Sequence, residues 1–126
     1  METEKNNLIV DLTFDFALKV IDFTEVLENK KKFPMANQLF RSGTSIGANV
    51  SEAQCAESKA DFIHKLKIAA KEAEETKYWL LLCKKSSNYP DSDELLNSLN
   101  SIQKVISKII YSTKNPSNTS AHQHIK

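Results

Sequence analysis

The stretch FRSGTSIGANVSEA, Phe40–Ala53, decides the fold of this chain of 126 residues. It contains both glycines, Gly43 and Gly47, and the only arginine, Arg41. Glycine costs a helix interior about 1 kcal/mol relative to alanine, yet the stretch lies between two runs with helical periodicity. Small and apolar residues recur at alternating spacings of four and three, as in a heptad seam: Leu39, Gly43, Ile46, Val50 and Ala53. The sequence therefore predicts a helix whose glycines admit a neighbouring backbone.

Close packing is the favoured role for the glycines. A membrane-dimer motif would need an apolar flank, which Arg41, Ser45 and Asn49 exclude, and a phosphate-binding loop would need a preceding strand and more glycine. The following helix has a seam with small residues in its middle, at Ala69 and Ala73. We therefore expect the glycines to face this third helix and the second and third helices to make the closest contact of the fold.

Polar residues form a row on another side of the same helix, within an arc of roughly 80°. The row consists of Arg41, Ser45, Asn49 and Glu52. The third helix has a similar row in which two acids, Glu72 and Glu75, lie between apolar residues. One interpretation is a buried or interfacial polar network, in which the acids pair with Arg41 or with a lysine across a subunit boundary. The other is a pair of solvated faces, with Glu75 bound to Lys71 one turn away.

Outward from this stretch, the periodicity predicts four helices, at about 8–30, 34–56, 59–87 and 92–114, followed by a disordered polar tail over 115–126. Long amphipathic helices with short links indicate an all-α fold, an antiparallel up-down-up-down four-helix bundle. Ser58 and Asp61 form a capping box before the third helix, and Asp91 and Glu94 resemble one before the fourth.

The first helix has two apolar stripes. The main stripe consists of Ile9, Leu12, Phe16, Val20, Phe23 and Leu27. The second, roughly 130° around the helix, consists of Val10, Phe14, Ala17 and Ile21. Two stripes imply cover on two sides, either from another subunit or from two neighbours within one bundle.

Composition excludes several classes of function. The formal net charge of +1 provides no global attraction to nucleic acid or membrane, so any basic surface is local. No run of about 18 apolar residues occurs, and the acidic N-terminus does not resemble a secretory signal, so we expect a cytoplasmic protein. Cys55 and Cys83 are expected to be buried thiols. No nucleophile–base pair, Glu-x-x-His metal motif or cofactor motif is apparent, which predicts a protein without catalytic, metal or cofactor-binding residues.

The stretch LFRSGTSIGANVSEAQCAESKADFIHKLKIAAKEAEETKYWLLLC, Leu39–Cys83, resembles the core of the 23S rRNA-intervening-sequence proteins. These bacterial proteins are encoded within insertions in ribosomal RNA genes or as separate genes, and they form ring-shaped homopentamers of four-helix bundles. A related branch is the accessory variability protein of diversity-generating retroelements, which binds a reverse transcriptase and nucleic acid. The family is not known for an enzymatic activity. The resemblance therefore implies a homopentamer, and its polar pattern falls on Arg41, Ser45, Asn49, Glu52 and Glu75.

The nucleic-acid-binding branch tends to be strongly basic, whereas the cations and anions of this chain nearly balance. RNA binding would then depend on lysine clusters repeated around a ring: Lys30, Lys31 and Lys32; Lys65, Lys67 and Lys71; Lys84 and Lys85. The alternative role of these lysines is solubility and helix C-terminal charge. The favoured function is a non-enzymatic homo-oligomeric module associated with RNA or a nucleoprotein. The alternative is a protein-interaction scaffold, binding a partner such as a reverse transcriptase without an RNA role of its own.

Overall fold

The computed structural model describes residues 3–116, with side-chain detail from Leu8 onward. Four helices form within this range: α1 (Thr3–Asn29), α2 (Phe33–Ala53), α3 (Lys59–Lys85) and α4 (Asp93–Lys114). The described residues contain no strand, so the all-α prediction is confirmed. None of these helices is both long enough and apolar enough to cross a bilayer. Beyond residue 116, the predicted polar tail lies outside the described residues.

Two helix ends differ from the sequence prediction by three residues or more, and the others differ by two residues or fewer. Helix α1 begins at Thr3 rather than near Leu8, because the apolar stripe that marked its start begins a turn and a half inside the helix. Helix α2 ends at Ala53 rather than Ala56. The three residues after it form tight turns, in which the amides of Cys55 and Ala56 bond to carbonyls three residues earlier. This exposes Cys55, so the prediction that both cysteines are buried is wrong for Cys55 and right for Cys83.

The link between α1 and α2 is a Schellman motif. The amide of Lys32 donates to the carbonyl of Leu27 at 2.8 Å, and the amide of Lys31 donates to that of Glu28 at 2.8 Å. Lys31 has a φ of 63°, the left-handed conformation that usually belongs to glycine at this position. With both glycines located inside α2, a lysine adopts the strained conformation.

Side chains cap the two later helices differently. At the start of α3, Ser58 Oγ accepts a hydrogen bond from the amide of Asp61 at 3.0 Å, as the capping motif predicts. At the start of α4, Ser92 is the N-cap residue but its hydroxyl donates to the carbonyl of Leu80 instead. Asp91 accepts from the amide of Asp93 at 3.2 Å. The buried Ser92 therefore ties the α3–α4 link to the last turns of α3.

One hydrophobic core lies among all four helices. Helix α1 packs on α2 and α4, and α3 packs on the same two helices. Among the described residues, the diagonal pairs α1–α3 and α2–α4 bring no Cα atoms within 8 Å of each other. The largest fully buried side chains include Phe16, Leu39, Leu66, Leu99 and Ile106. Of the main α1 stripe, Leu12 and Phe23 are only partly buried.

Candidate functional site

Arg41 joins α2 to α3 through a polar cluster on the outside of the two helices. Its guanidinium bonds to Glu75 through Nη2 and lies 3.4 Å from Glu72 through Nη1. Gln38 accepts a further contact at 3.4 Å, and the indole of Trp79 donates to Glu75 at 3.1 Å. The Arg41 side chain is 50% exposed, so this cluster is half-buried rather than enclosed. Its acids are neutralised within one chain.

The predicted polar row does not form one continuous network. Ser45 Oγ donates to the carbonyl of Arg41 at 2.6 Å, and the amide of Asn49 donates to the carbonyl of Ser45 at 2.9 Å. Both side chains therefore bond to their own helix. At the far end, Glu52 accepts from Lys65 of α3 at 2.9 Å. The row consists of two separate α2–α3 ion-pair clusters with back-bonded residues between them.

The pairing of Glu75 with Arg41 and Trp79 determines the environment of Lys71. The i, i+4 pair between Lys71 and Glu75, considered above for a solvated face, is not among the ion pairs of the described residues. Glu72 is likewise drawn toward Arg41. Both acids thus point toward α2, which leaves the outward side of α3 without their negative charge.

The glycines face α1, so the prediction that they face α3 is wrong. A β carbon built on Gly43 would lie 2.8 Å from Cγ2 of Val20, and one on Gly47 would lie 3.2 Å from the carbonyl oxygen of Thr13. Toward α3, helix α2 instead places Ser42, whose hydroxyl lies 2.9 Å from that of Thr76 in a buried pair. The alternating spacing of a heptad seam does not predict which neighbouring helix a small residue faces, because the α2 seam contacts both α1 and α3.

An open apolar groove of about 240 Å³ runs between α1 and α2. The residues that line it are Val10, Thr13, Phe14, Ala17, Thr44, Gly47, Ala48 and Ser51. Three of the four second-stripe residues of α1 are among them, and Phe14 is 63% exposed. Exposed Leu18 and Phe40 belong to the same two helices. The described part of the chain therefore leaves the second stripe only partly covered.

The predicted lysine clusters separate into paired and unpaired side chains. Glu52 raises the pKa of Lys65 through their hydrogen bond and charge attraction. Lys84 lies 3.2 Å from Asp93, and the ammonium of Lys32 lies 4.9 Å from the centre of the Tyr89 ring. Lys65 is thus turned toward α2, away from Lys67 and Lys71, so these three lysines do not form one cluster.

Lys67 contacts a residue that the sequence analysis did not single out, Lys114 of α4. Lys114 lowers the pKa of Lys67, because the two amine groups are close neighbours across the α3–α4 seam and repel each other when both are protonated. Neither forms an ion pair with an acid in the described range. Two adjacent unneutralised cations form a local site that attracts an anion. Sequence spacing could not find this pair, because it depends on how α4 is aligned against α3.

The described residues contain no group of three or more histidine, cysteine, aspartate or glutamate side chains that could hold a metal ion. The Cys83 thiol is buried, which raises its pKa to about 11. A buried neutral thiol is a poor nucleophile. The chemistry of the described surface is therefore that of charge pairs, apolar contact and cations.

Comparison with known proteins supports the sequence resemblance. The family model described as 23S rRNA-intervening sequence protein matches residues 5–110. The chain is also similar to the crystal structure of a protein with unknown function from the S23 ribosomal protein family of Bacteroides thetaiotaomicron VPI-5482. The two are 42% identical with a TM-score of 0.81, and the match covers 85% of this chain and 98% of that one. No curated protein matches this chain.

Proposed function

Because the chain belongs to the 23S rRNA-intervening sequence protein family, we propose that it is a non-enzymatic, homo-oligomeric four-helix bundle that associates with RNA or a nucleoprotein in the cytoplasm. The observation that carries the RNA part is a set of exposed α3 lysines, Lys67, Lys71 and Lys85, that form no ion pair with an acid in the described range. Phosphate groups are the abundant anions that such a set attracts.

The pairing between helices supports an antiparallel, up-down-up-down bundle. On α2 and α3, Arg41 bonds to Glu75 whereas the later Glu52 bonds to the earlier Lys65. Between α1 and α2, Gly47 lies against Thr13 whereas the earlier Gly43 lies against the later Val20. Between α3 and α4, Lys84 pairs with Asp93 and Glu74 accepts from Gln103. In each case one helix ascends in residue number where its neighbour descends.

The groove between α1 and α2 supports self-association. Its apolar lining and the exposed Phe14 form a face that a second copy of the chain can cover, as the predicted second stripe of α1 requires. The family resemblance implies a ring of five copies. Five copies would repeat each modest cationic site around one assembly, which raises the affinity for a long polyanion without any new contact.

Native mass spectrometry of protein purified without nuclease tests both parts. A pentamer that carries additional nucleic-acid mass is the expected result. A bare pentamer would contradict the RNA part, and a monomer would contradict the assembly. Two matched variants locate the interface: Phe14→Ser is expected to yield monomers, whereas Tyr111→Ser, at a similarly exposed aromatic residue on α4, keeps the pentamer. Equal behaviour of the two variants would contradict the groove as the interface.

A second candidate function is a scaffold that binds another protein. Exposed Leu81 and Leu82 on α3 and exposed Tyr111 on α4 lie outside the α1–α2 groove, so a ring closed through that groove would still expose apolar side chains. The related accessory variability branch suggests a reverse transcriptase as such a partner. Co-purification with a co-expressed retroelement reverse transcriptase after nuclease treatment, lost in a Leu81→Ser/Leu82→Ser variant, would favour the scaffold.

A further inference from the structure

The outward face of α3 carries a row of three lysines and one tyrosine. Lys67, Lys71, Tyr78 and Lys85 fall within an arc of about 40° and along about 27 Å of the helix axis. Lys67, Lys71 and Lys85 are exposed, and Tyr78 is 58% exposed. The row lies opposite the residues that α3 contributes to the core, such as Ala73 and Leu80. It therefore points away from the bundle.

Contacts elsewhere in the fold keep this row basic. Two acids of α3, Glu72 and Glu75, contact the Arg41 guanidinium on the α2 side. Glu74 lies beside the row and keeps its charge while it accepts a hydrogen bond from Gln103 of α4 at 3.1 Å, so the three lysines of the row outnumber this one acid. Lys114 of α4 adds a fourth cation beside Lys67. None of the four lysines forms an ion pair with a described acid.

Tyr78 makes this row more than a set of charges. Its ring is held edge-on against the ring of Trp79, with centroids 5.3 Å apart and planes at 65°. Trp79 is in turn fixed by its hydrogen bond to Glu75. An exposed aromatic ring that is oriented by a partly buried neighbour, with lysines on both sides along the helix, provides a stacking platform for an unpaired base while the lysines contact the backbone phosphates.

We propose that the outward face of α3, with Lys114 of α4, binds single-stranded RNA, the phosphates lying on Lys67, Lys71, Lys85 and Lys114 and one base stacking on Tyr78. This assignment rests on the proposed association with RNA and specifies its site and the class of RNA. A duplex hides its base faces inside the stack, so it could use the lysines but not the tyrosine. The row is also distant from the α1–α2 groove, because α1 and α3 are diagonal in the fold, and it stays accessible when that groove is covered.

Fluorescence anisotropy with a labelled uridine oligonucleotide of roughly 12 nucleotides tests the site on the full chain. If the four lysines each neutralise one phosphate, the slope of log Kd against log salt concentration is about 2.8. The variant Lys67→Gln/Lys71→Gln is expected to lower this slope by about 1.4. Its matched control is Lys104→Gln/Lys108→Gln, which removes two exposed lysines of α4 that do not lie on the row.

The tyrosine has a control of nearly equal exposure. Tyr78→Ala is expected to weaken binding about tenfold without changing the salt slope. Tyr111→Ala, at a residue that is 59% exposed, leaves binding unchanged. The double-stranded form of the same oligonucleotide is expected to compete at least about tenfold less well, because its bases cannot stack on the ring.

The outcomes separate the two proposals. If the wild-type protein does not bind the oligonucleotide at any salt concentration, the association with RNA falls and this site falls with it. If the wild-type protein binds with a steep salt dependence but the row variants behave like their controls, the association stands and this site is overturned. Equal competition by the duplex would overturn the single-stranded assignment alone. Circular dichroism and the oligomer mass of each variant establish that its fold is intact.

Discussion

Gly43 lies so close to Val20 that a methyl group cannot be added to it without displacing the valine: a β carbon at Gly43 would be 2.8 and 2.9 Å from the two Val20 methyl carbons. Val20 is buried in the core and its branched side chain has one strongly preferred rotamer in a helix. The α1–α2 contact therefore depends on the absence of a side chain at this residue.

Gly43→Ala is accordingly expected to destabilise the fold by about 1 to 2 kcal/mol, because overpacking outweighs the gain of about 1 kcal/mol in helix propensity. Chemical unfolding measures the difference. Gly43→Ala combined with Val20→Ala should be less costly than the sum of the two single changes, since each makes room for the other. Additive effects would contradict the contact. Gly47→Ala should cost less than Gly43→Ala, because its β carbon would approach Thr13 less closely, at 3.2 Å.

Replacing Arg41 is expected to lower stability modestly. One of the two interpretations of the sequence placed this residue in a buried or interfacial network, where its loss would cost several kcal/mol. The half-exposed guanidinium reduces the expectation for Arg41→Met to about 1 kcal/mol in the free energy of unfolding.

The control for this prediction is Lys65→Met, which breaks the single α2–α3 pair with Glu52 and should cause a smaller change, because the Glu52 carboxylate is 59% exposed and stays solvated. Glu75→Gln in the Arg41→Met background should recover part of the loss, because it removes one of two adjacent negative charges and keeps an oxygen that accepts from Trp79. If Arg41→Met left the melting temperature unchanged, the alternative interpretation of this row as a solvated face would be favoured.

Burial of the Cys83 thiol makes stability depend on pH in the alkaline range. Burial raises the pKa of Cys83 from 9.0 to about 11. The folded state binds the proton more tightly than the unfolded state, so the stabilisation is complete below pH 9 and is lost as the pH rises toward 11. Between pH 8 and pH 10, the free energy of unfolding of the wild type should fall by about 1 kcal/mol relative to that of Cys83→Ala.

Urea unfolding of both proteins under reducing conditions measures this difference, and lysine and tyrosine titrations cancel because both proteins share them. Cys55→Ala, which changes the exposed thiol in the α2–α3 link, is the control for the second cysteine. A constant offset between the wild type and Cys83→Ala at every pH would contradict the prediction.

Lys31 is a residue at which glycine should stabilise the protein. A left-handed conformation costs a residue with a side chain roughly 1 kcal/mol, and Lys31 adopts it with a φ of 63°. Lys31→Gly is therefore expected to raise the free energy of unfolding by up to about 1 kcal/mol. Lys30→Gly, one residue earlier and without a positive φ, should give no gain. Equal effects of the two changes would indicate that the loss of a cation, rather than backbone strain, determines the result.

The four helices and most of the core follow from the sequence because apolar periodicity is a local signal. The α3 seam of Phe62, Leu66, Ala69, Ala73, Thr76, Leu80 and Cys83 is buried residue for residue as predicted. The direction in which each polar side chain turns is not local. Glu75 has a lysine one turn away on its own helix, yet it bonds to Arg41 and Trp79, because α2 brings the Arg41 guanidinium within hydrogen-bond distance.

The same limit applies to the glycines and to Lys114. A heptad seam predicts that Gly43 is buried, but the choice between α1 and α3 depends on how the helices are rotated about their axes. Lys114 gains its role only from the alignment of α4 with α3. The sequence did not predict the burial of Ser42, because a serine beside a seam is equally common on a solvated edge. Its buried partner, Thr76, is also distant in sequence.

Gly47 has two kinds of neighbour: the backbone of Thr13 beneath it and the open groove above it. A side chain introduced there would push α1 outward and shift Phe14 and Ala17, which share the wall of that groove. In the proposed assembly, the shape of the groove that a second copy covers thus depends on the absence of a side chain at Gly47. A genetic screen for failed assembly should therefore recover substitutions at Gly47 alongside those of Phe14, although one residue acts through the spacing of two helices and the other through direct contact.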